Sequence, residues 1–398
     1  MLPLAVLPLV AGLATAAPTS TAANAGTGRF SIARTPGYEH PVLSVARTYR
    51  KYGKPLPPAL VEGVRNVTAS MKRSTGSAPT NSWTDSVAHK VRVSLGTPAQ
   101  EFDLLLDSGS SDFWIFGPDP RGINCEIYYC FHPENSTTAK LKEGYTWNIH
   151  YADGTGYEGV VYEEVAKIGG LTIENQAIGV QVTEDTSLNL DIGGIVGLGF
   201  GKINTIKPVK QKTWFENIQS SLDAPLFTAD LYRDKEGTYN FGFIDESLYI
   251  GDIAYSDVDS SGGFWEITSS GWGINDEFNS ENWKTIVDTG TSLNYLPEDM
   301  ANVWYDSIPG KTYSFLGIKA FDCDAKLPSF TFAIGDSRLT IPSEALNYGK
   351  IIKGGSICAG AIQPASDLDF SILGDTTLQS TFAVFDAAPK LGFAPKRS

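Results

Sequence analysis

Two short stretches of the sequence decide the fold, residues 104–111 (LLLDSGSS) and residues 285–292 (TIVDTGTS). In each, an apolar run leads to an aspartate, followed by a hydroxyl residue, a glycine and two more hydroxyl residues. Each stretch has a matching partner downstream, residues 194–197 (GIVG) and 371–374 (SILG). The distance from aspartate to final glycine is 90 positions in the first half and 86 in the second. This internal repeat predicts two related units.

The rest of the chain has the composition of a β-rich globular protein. Its 398 residues fit two domains with extensions, and 42% are hydrophobic while 19% are charged. Short β-branched and aromatic runs alternate with Gly-containing turns, and helices are expected at residues 209–220 and 298–307. We predict an all-β, mostly antiparallel, bilobal fold with a cleft near residues 255–263. The N-terminal lobe is expected at residues 74–256 and the C-terminal lobe at 257–398.

The repeated loop contains the residue types that paired carboxylates need. Each aspartate follows a buried strand, and the glycine lets backbone N–H groups approach the carboxylate. If a pseudo-twofold axis relates the lobes, Asp107 and Asp288 face each other. Two carboxylates this close do not both ionise easily, so the pair holds one proton over an acidic range. The protonated member can polarise a peptide carbonyl while the ionised member activates a water.

The first 80 residues differ in charge from the rest of the chain. Residues 1–16 are almost wholly apolar and end in Ala-Thr-Ala, which predicts a signal peptide, with a retained membrane helix as the alternative. Residues 18–80 contain nine Lys and Arg against two Glu, a net +7, while the remainder carries −21. This asymmetry favours an intramolecular partner over a nucleic-acid-binding arm. We predict a basic propeptide at residues 17–73, processed near the dibasic pair Lys72-Arg73.

Four cysteines fit an exported protein with disulfides. They allow three pairings, and the pairing Cys125–Cys130 with Cys323–Cys358 places one bridge in each half. A zinc site is the alternative, but the chain has no Cys-x-x-Cys pair and its four histidines are scattered. We therefore expect disulfides, no metal and no organic cofactor.

These motifs resemble those of the pepsin-like aspartic proteases, and in particular those of the secreted fungal members. The resemblance extends from the basic leader to residues 392–394 and includes both Asp-hydroxyl-Gly loops, their downstream partners and the cysteine pairing. It implies a bilobal pepsin-like fold and an acid endopeptidase, made as a zymogen, that prefers bulky hydrophobic residues around the cut. It also implies secretion to the exterior, with an acidic vacuole as the alternative. Protein or peptide substrates are the expected partners, and a monomer without a membrane anchor is the expected mature form.

The resemblance also assigns roles within the two loops. Asp107 and Asp288 bind the nucleophilic water. The residues expected to support the carboxylates by hydrogen bonds are a glycine and a hydroxyl residue in each loop, namely Gly109, Ser110, Gly290 and Thr291.

Further roles follow from the same resemblance. Ser108 and Thr289 are expected to lace the two loops together. Tyr151 matches the tyrosine of a mobile hairpin that closes over substrate, and Trp114 matches its hydrogen-bonding partner, although each also fits a core aromatic. Asp153 matches a hairpin acid that pairs with a basic substrate side chain, or it simply forms the Asp-Gly turn.

In the leader, Lys51-Tyr52 fits the basic-aromatic pair that family propeptides insert between the catalytic carboxylates. Protonation of body carboxylates in acid would weaken the hold on the +7 leader, which is then cut away. Asn66 and Asn135 head glycosylation triplets.

Two rival functions are kept for comparison. A pepsin-like scaffold without activity would serve as a binding or inhibitor protein, and acid proteolysis abolished by a pepstatin-type analogue argues against it. A two-carboxylate glycosidase is the other rival, and the repeated Asp-hydroxyl-Gly loops argue against that.

Overall fold

The computed structural model describes residues 30–37, 40–74, 88–119, 125, 129–150, 156–182, 193–233, 235–352 and 354–397. Strands contain more of these residues than helices do, and in chain order they are β1 (Phe30–Gly37), β2 (Ala88–Leu95), β3 (Gln100–Asp107), β4 (Phe113–Phe116), β5 (Lys140–His150), β6 (Gly156–Ile168), β7 (Leu171–Gln181), β8 (Gly194–Gly197), β9 (Leu226–Asp230), β10 (Gly237–Phe241), β11 (Ala254–Asp257), β12 (Glu266–Ser269), β13 (Gly271–Ile274), β14 (Glu277–Asn279), β15 (Trp283–Val287), β16 (Asn294–Leu296), β17 (Thr312–Phe315), β18 (Ile318–Asp322), β19 (Phe330–Ile334), β20 (Ser337–Ile341), β21 (Asn347–Lys350), β22 (Ile357–Gly360), β23 (Ile362–Pro364), β24 (Ser371–Leu373), β25 (Thr381–Asp386) and β26 (Lys390–Pro395).

The described residues form five α-helices, of which the two longest lie in the leader and were not predicted. In chain order they are α1 (Pro41–Lys51), α2 (Pro58–Ser74), α3 (Trp214–Ile218), α4 (Glu298–Asp306) and α5 (Asp375–Ser380). Single 3₁₀ turns occur at Pro133–Asn135, Gly201–Ile203, Gln219–Ser221, Ser260–Gly262 and Ser343–Leu346. None of the helices in the described ranges is long and apolar enough to cross a membrane.

The strands of the described residues form four sheets. The largest has thirteen strands in the order β11-β26-β25-β9-β10-β1-β2-β3-β8-β4-β7-β6-β5. Three smaller sheets, β12-β15-β24-β16-β23, β14-β13-β19-β20 and β17-β18-β22-β21, belong to the second half of the chain. Most pairings are antiparallel, which confirms the predicted fold class. The lobe boundary at residues 256 and 257 falls inside β11 and stays a prediction.

Both copies of the repeat fold in the same way. β3 pairs in parallel with β8, so that Asp107 lies opposite Gly197. β15 pairs in parallel with β24, and Val287 lies opposite Leu373. Residues 104–106 and 285–287 are buried whichever face of the sheet they point to. Strands buried on both faces have continuous apolar runs, which explains the Leu-Leu-Leu and Ile-Val stretches before the aspartates. Each aspartate is thus held where a buried strand ends.

An aromatic core connects the two halves beneath the site. Phe227 of β9 stacks on Phe385 of β25 with ring centroids 4.5 Å apart, and Trp265 contacts both rings. Trp265 is 1% exposed, and its Nε1 donates to the carbonyl of Leu198, directly after β8. Fully buried aromatic rings contribute on the order of 2–3 kcal/mol each through apolar burial, so this core fixes the base of the first motif loop.

The leader is more regular than the sequence predicts. Its strand β1 pairs antiparallel with β10 and with β2, and α1 and α2 follow. In α1, Val42, Val45, Ala46 and Tyr49 are buried at helical spacing. Pro55 and Pro57 lie between α1 and α2, and Pro58 is the first residue of α2, where proline is tolerated.

The helix predicted at residues 209–220 is much shorter in the structure. Thr213 caps α3 through a capping box with Glu216, so the helix begins at Trp214. The preceding residues are held as a loop because Asn204 Oδ1 accepts from the backbone N–H of Gln211 at 2.8 Å. The helix predicted at residues 298–307 is confirmed as α4.

Candidate active site

Asp107 and Asp288 lie at equivalent positions of the repeat. They are 1% and 0% exposed. The carbonyl of Asp107 accepts from the N–H of Leu198 at 2.7 Å, and the N–H of Asp288 donates to the carbonyl of Leu373 at 3.0 Å. In each half, a residue in or directly after the downstream match therefore holds the backbone of the aspartate in place.

Each loop binds its own carboxylate with the same two donors. The N–H groups of Gly109 and Gly290 donate to Oδ1 of Asp107 and of Asp288, each at 2.9 Å. Ser110 Oγ donates to Asp107 Oδ2 at 2.6 Å. Hydrogen bonds to the charged form favour the carboxylate and fix its plane. In the second loop the equivalent oxygen, Oδ2 of Asp288, accepts from Thr291 Oγ1.

The two loops are joined by reciprocal hydrogen bonds. The N–H of Ser108 donates to Thr289 Oγ1, and the N–H of Thr289 donates to Ser108 Oγ, both at 3.0 Å. The same hydroxyls donate onward, Ser108 to the carbonyl of Val287 at 2.9 Å and Thr289 to that of Leu106 at 2.8 Å. Both side chains are fully buried. The pairing of Ser108 with Thr289 is the lacing that the sequence predicts.

Each motif glycine is pressed against the carboxylate of the opposite loop. A Cβ on Gly109 would lie 2.5 Å from Asp288 Oδ1, and a Cβ on Gly290 would lie 2.2 Å from Asp107 Oδ1. No side chain fits at these distances. The glycines are therefore required because the two carboxylates approach the opposite backbone closely, in addition to the N–H groups that they supply.

The leader fills the space between the carboxylates. Lys51, at the end of α1, places Nζ 2.6 Å from Asp107 Oδ1 and 2.8 and 2.7 Å from the two oxygens of Asp288. Tyr52 Oη donates to Asp288 Oδ2 at 2.6 Å. The structure thus brings the predicted leader pair and the predicted dyad together.

These contacts push the two carboxyl pKa values in opposite directions. Burial raises the pKa of Asp107, which the charge of Lys51 opposes and that of Asp288 reinforces. Burial acts the same way on Asp288, but Lys51 and the hydrogen bonds outweigh it and hold the pKa of Asp288 below its ordinary value. Burial and both carboxylates raise the pKa of Tyr52 well above its ordinary value. The hydroxyl therefore stays protonated and acts as a hydrogen-bond donor to Asp288.

Trp114 lies in a separate aromatic cluster beside the site. It is 5% exposed and stacks between Trp147 and Tyr157, with centroids 5.5 and 5.1 Å away. Its two predicted companions, Tyr151 and Asp153, lie outside the described residues, as do residues 1–16 and the linker after Ser74.

Sequence reasoning missed the buried carboxyl of Asp112, five positions after Asp107. Its Oδ1 accepts from Asn204 Nδ2 at 2.8 Å and from the N–H of Thr205 at 2.9 Å. Burial raises the pKa of Asp112 to about 7. Asn204 also donates to the carbonyl of Ser111, so this cluster ties the first motif loop to residues 204–205. Its partners lie about ninety positions away, and no local pattern identifies them.

Sequence reasoning also missed the aromatic surroundings of Tyr52. Phe370 and Phe264 lie edge-on to its ring, with centroids 4.9 and 6.0 Å away. In α1, Arg47 donates at 3.1 Å to Oγ of Ser292, the last residue of the second motif. The Lys-Tyr dipeptide was the only sequence signal for these contacts.

The structure contains both disulfides in the predicted pairing, Cys125–Cys130 and Cys323–Cys358. Asn66 on α2 and Asn135 at the end of a 3₁₀ turn are exposed. Among the described residues, no group of three or more His, Cys, Asp or Glu side chains is arranged to hold a metal ion.

The fold and the paired carboxylates together define an aspartic endopeptidase. The chain belongs to the eukaryotic aspartyl protease family, whose pattern matches residues 89–396. It is 42% identical to endothiapepsin of Cryphonectria parasitica over 392 residues, which cover 95% of this chain and 93% of that protein. It is 38% identical to podosporapepsin of Podospora anserina, covering 90% and 87% of the two chains. Penicillopepsin-1 of Talaromyces stipitatus is 36% identical over 89% of each chain.

Proposed function

We propose that Asp107 and Asp288 are the catalytic pair of a secreted acid endopeptidase that is made as a zymogen. The close approach of each glycine to the opposite carboxylate carries this proposal, since it holds two buried carboxylates around one shared space. In the mature enzyme one water binds between them. The ionised carboxylate takes a proton from this water as its oxygen attacks the peptide carbonyl, and the protonated carboxylate donates to the carbonyl oxygen. No covalent intermediate is needed.

The fixed donors around the pair support this chemistry. Because backbone N–H groups and hydroxyls already hold each carboxylate, little reorganisation is required as charge develops. Acid operation follows from the need for a single shared proton on the pair.

The leader acts as an intramolecular inhibitor in this proposal. Lys51 occupies the space that the water needs and supplies the positive charge that two buried carboxylates favour. A +7 leader on a −21 body adds a longer-range attraction at neutral pH. Protonation of body carboxylates in acid weakens the Lys51 contacts and the longer-range attraction, and the leader is removed near Lys72-Arg73.

Substrate preference and location are the finer parts of the proposal. The ring of Tyr52 lies against Phe264 and Phe370 beside Asp288, which supports a preference for bulky hydrophobic residues next to the cut. The apolar residues 1–16 and two disulfides support export, with glycosylation at the exposed Asn66 and Asn135. The mature form is proposed to act as a monomer on protein or peptide substrates.

The first test is cleavage of denatured haemoglobin near pH 3–4 after confirmed leader removal, with a second protease removing the leader where a variant cannot. Wild type should cleave, and a pepstatin-type transition-state analogue should abolish the activity. Asp107→Asn and Asp288→Asn should each lose about 10²–10⁴-fold, the usual contribution of a general acid or base. The exposed Asp306→Asn is the matched control and should retain activity. A leader-free wild type without activity would favour a binding protein on the same scaffold.

A further inference from the structure

His40 caps the helix that delivers Lys51 to the carboxylates. It is the N-cap of α1, with Pro41 as the first helical residue and Lys51 as the last. Its side chain is 5% exposed. The imidazole therefore controls the start of the same eleven-residue helix whose far end blocks the site.

Both ring nitrogens of His40 are used, and their partners fix one neutral tautomer. Nδ1 lies 3.2 Å from the backbone N–H of Val42 and accepts from it, so Nδ1 carries no proton. Nε2 lies 3.0 Å from the carbonyl of Ile351 and must donate to it, so Nε2 carries the proton. Ile351 follows β21 in the second half of the chain. The neutral ring thus connects the leader helix to the body of the enzyme.

Protonation of the ring opposes this arrangement in three ways. It converts Nδ1 into a donor that faces the N–H of Val42, so the cap bond is lost. It places a full positive charge in a buried site. It also places that charge at the N-terminus of α1, where the helix dipole is already positive. All three effects destabilise the docked helix.

The charged side chains on α1 and β21 are the cations Arg47, Arg50, Lys51 and Lys350. Arg233 donates to two carbonyls of β21. Acids that contact α1 include Asp367, which accepts from Tyr49, and the two carboxylates that bind Lys51. Burial lowers the pKa of His40 to about 4, with the Ile351 carbonyl opposing this shift. Glu39, its chain neighbour, lies outside the described residues.

We propose that His40 is a proton-sensitive anchor of the leader, whose protonation releases the N-terminus of α1 and so loosens Lys51 from Asp107 and Asp288. This inference rests on the proposed role of the leader as inhibitor. It makes release depend on a group outside the catalytic pair.

The direction and size of the effect follow from the pKa. The docked ring has a pKa of about 4, below the ordinary 6.5, so the docked state binds the proton less well than the released state. Its contribution to docking is fully present above pH 6.5 and is lost progressively as the pH falls to 4. The docking equilibrium should weaken by up to about 300-fold across this interval because of this one group.

The experiment compares full-length zymogens by their rate of leader removal, followed by intact mass from pH 7 to pH 3. His40→Asn keeps an acceptor for the N–H of Val42 and does not titrate, and His40→Gln is a second non-titrating variant. The ratio of variant to wild-type rate cancels the pH dependence of the shared catalytic pair. This ratio should be constant above pH 6.5 and fall by up to about 300-fold as the pH decreases to 4.

His132→Asn is the matched control, since His132 is a histidine of the body that contacts Glu134. Its ratio to wild type should not change with pH. A pH-independent ratio for a folded His40 variant, judged by its thermal unfolding at pH 7, would overturn the inference. The leader-free enzymes are assayed on haemoglobin in parallel. Loss of activity in leader-free wild type contradicts the proposed function, whereas full activity with a constant His40 ratio contradicts only the anchor.

Discussion

The two motif loops have the same hydrogen-bond arrangement but differ in chemical character at the sixth position counted from the aspartate. In the first loop this residue is Asp112, a buried carboxyl held by Asn204 and Thr205. In the second it is Leu293, which is 1% exposed. One copy of the repeat is therefore supported by a group that titrates near pH 7 and the other by apolar packing. The repeat preserves how each aspartate is held but not how each copy responds to pH.

The leader adds a second difference between the loops. Lys51 contacts both carboxylates, whereas Tyr52 bonds only Asp288. The pKa of Asp107 lies above its ordinary value and that of Asp288 below it. Two nearly identical loops thus become chemically unequal through a third segment of the chain.

Replacing Lys51 tests how strongly the leader depends on this pair of contacts. Lys51→Met removes a 10% exposed cation from between two buried carboxylates and should weaken leader docking by about 3–5 kcal/mol. Leader removal should then occur at a pH where the wild-type zymogen stays intact, as followed by intact mass. Lys54→Met is the control, because Lys54 pairs with Asp369, which is 78% exposed, and such pairs contribute about 0–1 kcal/mol. Equal behaviour of the two variants would contradict the assigned role of Lys51.

Asp112→Asn tests the difference between the supporting residues. Asp112 has a folded pKa of about 7 against 3.8 unfolded, so its stabilising contribution is complete below pH 3.8 and is lost as the pH rises through 7. The free energy of unfolding should fall by roughly 4 kcal/mol over this range because of this group. Asparagine preserves both accepted hydrogen bonds at Oδ1 and should flatten the dependence.

The measurement is denaturant unfolding at pH 4 and pH 7 in the Asp288→Asn background, which should not digest itself. The control Asp306→Asn, on the surface, should show the same pH dependence of the unfolding free energy as the Asp288→Asn background. If Asp112→Asn and Asp306→Asn give the same pH dependence, titration of Asp112 does not lower the free energy of unfolding between pH 4 and pH 7.

Gly109→Ala and Gly290→Ala test the symmetry of the loops. Each new methyl would displace the opposite carboxylate, and a misplacement of about 1 Å can cost about 10²-fold in rate. Both leader-free variants should lose about that much haemoglobin cleavage. Gly193→Ala is the control, since its nearest neighbour would be at an ordinary 3.7 Å. A large loss in only one variant would mean that the carboxylates do not approach the loops equally.

The sequence was sufficient for the geometry of the two aspartate loops because that geometry is local and repeated. An apolar strand, an aspartate, a hydroxyl and a glycine specify the strand end, the turn and the donors within a few residues. The lacing of Ser108 to Thr289 was predicted with them, since reciprocal hydroxyls need only the two loops to meet. Family resemblance supplied the leader pair, Lys51-Tyr52.

The remaining features depend on contacts between distant parts of the chain. Helix α3 was predicted too long because Asn204 holds the preceding loop. The state of Asp112 depends on that same distant asparagine. Helix α1 and its cap were missed since His40 reads as an isolated histidine until Ile351 is placed beside it. Burial decides these features, and burial cannot be read from local pattern.

The position of β1 has a mechanical consequence. Among the described strands it lies between β10 and β2, with five strands of the large sheet on one side and seven on the other. In the proposed activation, removal of the leader takes β1 out of the large sheet and leaves β10 and β2 as edges. The backbone hydrogen bonds that join the two sides of the sheet through β1 are then lost.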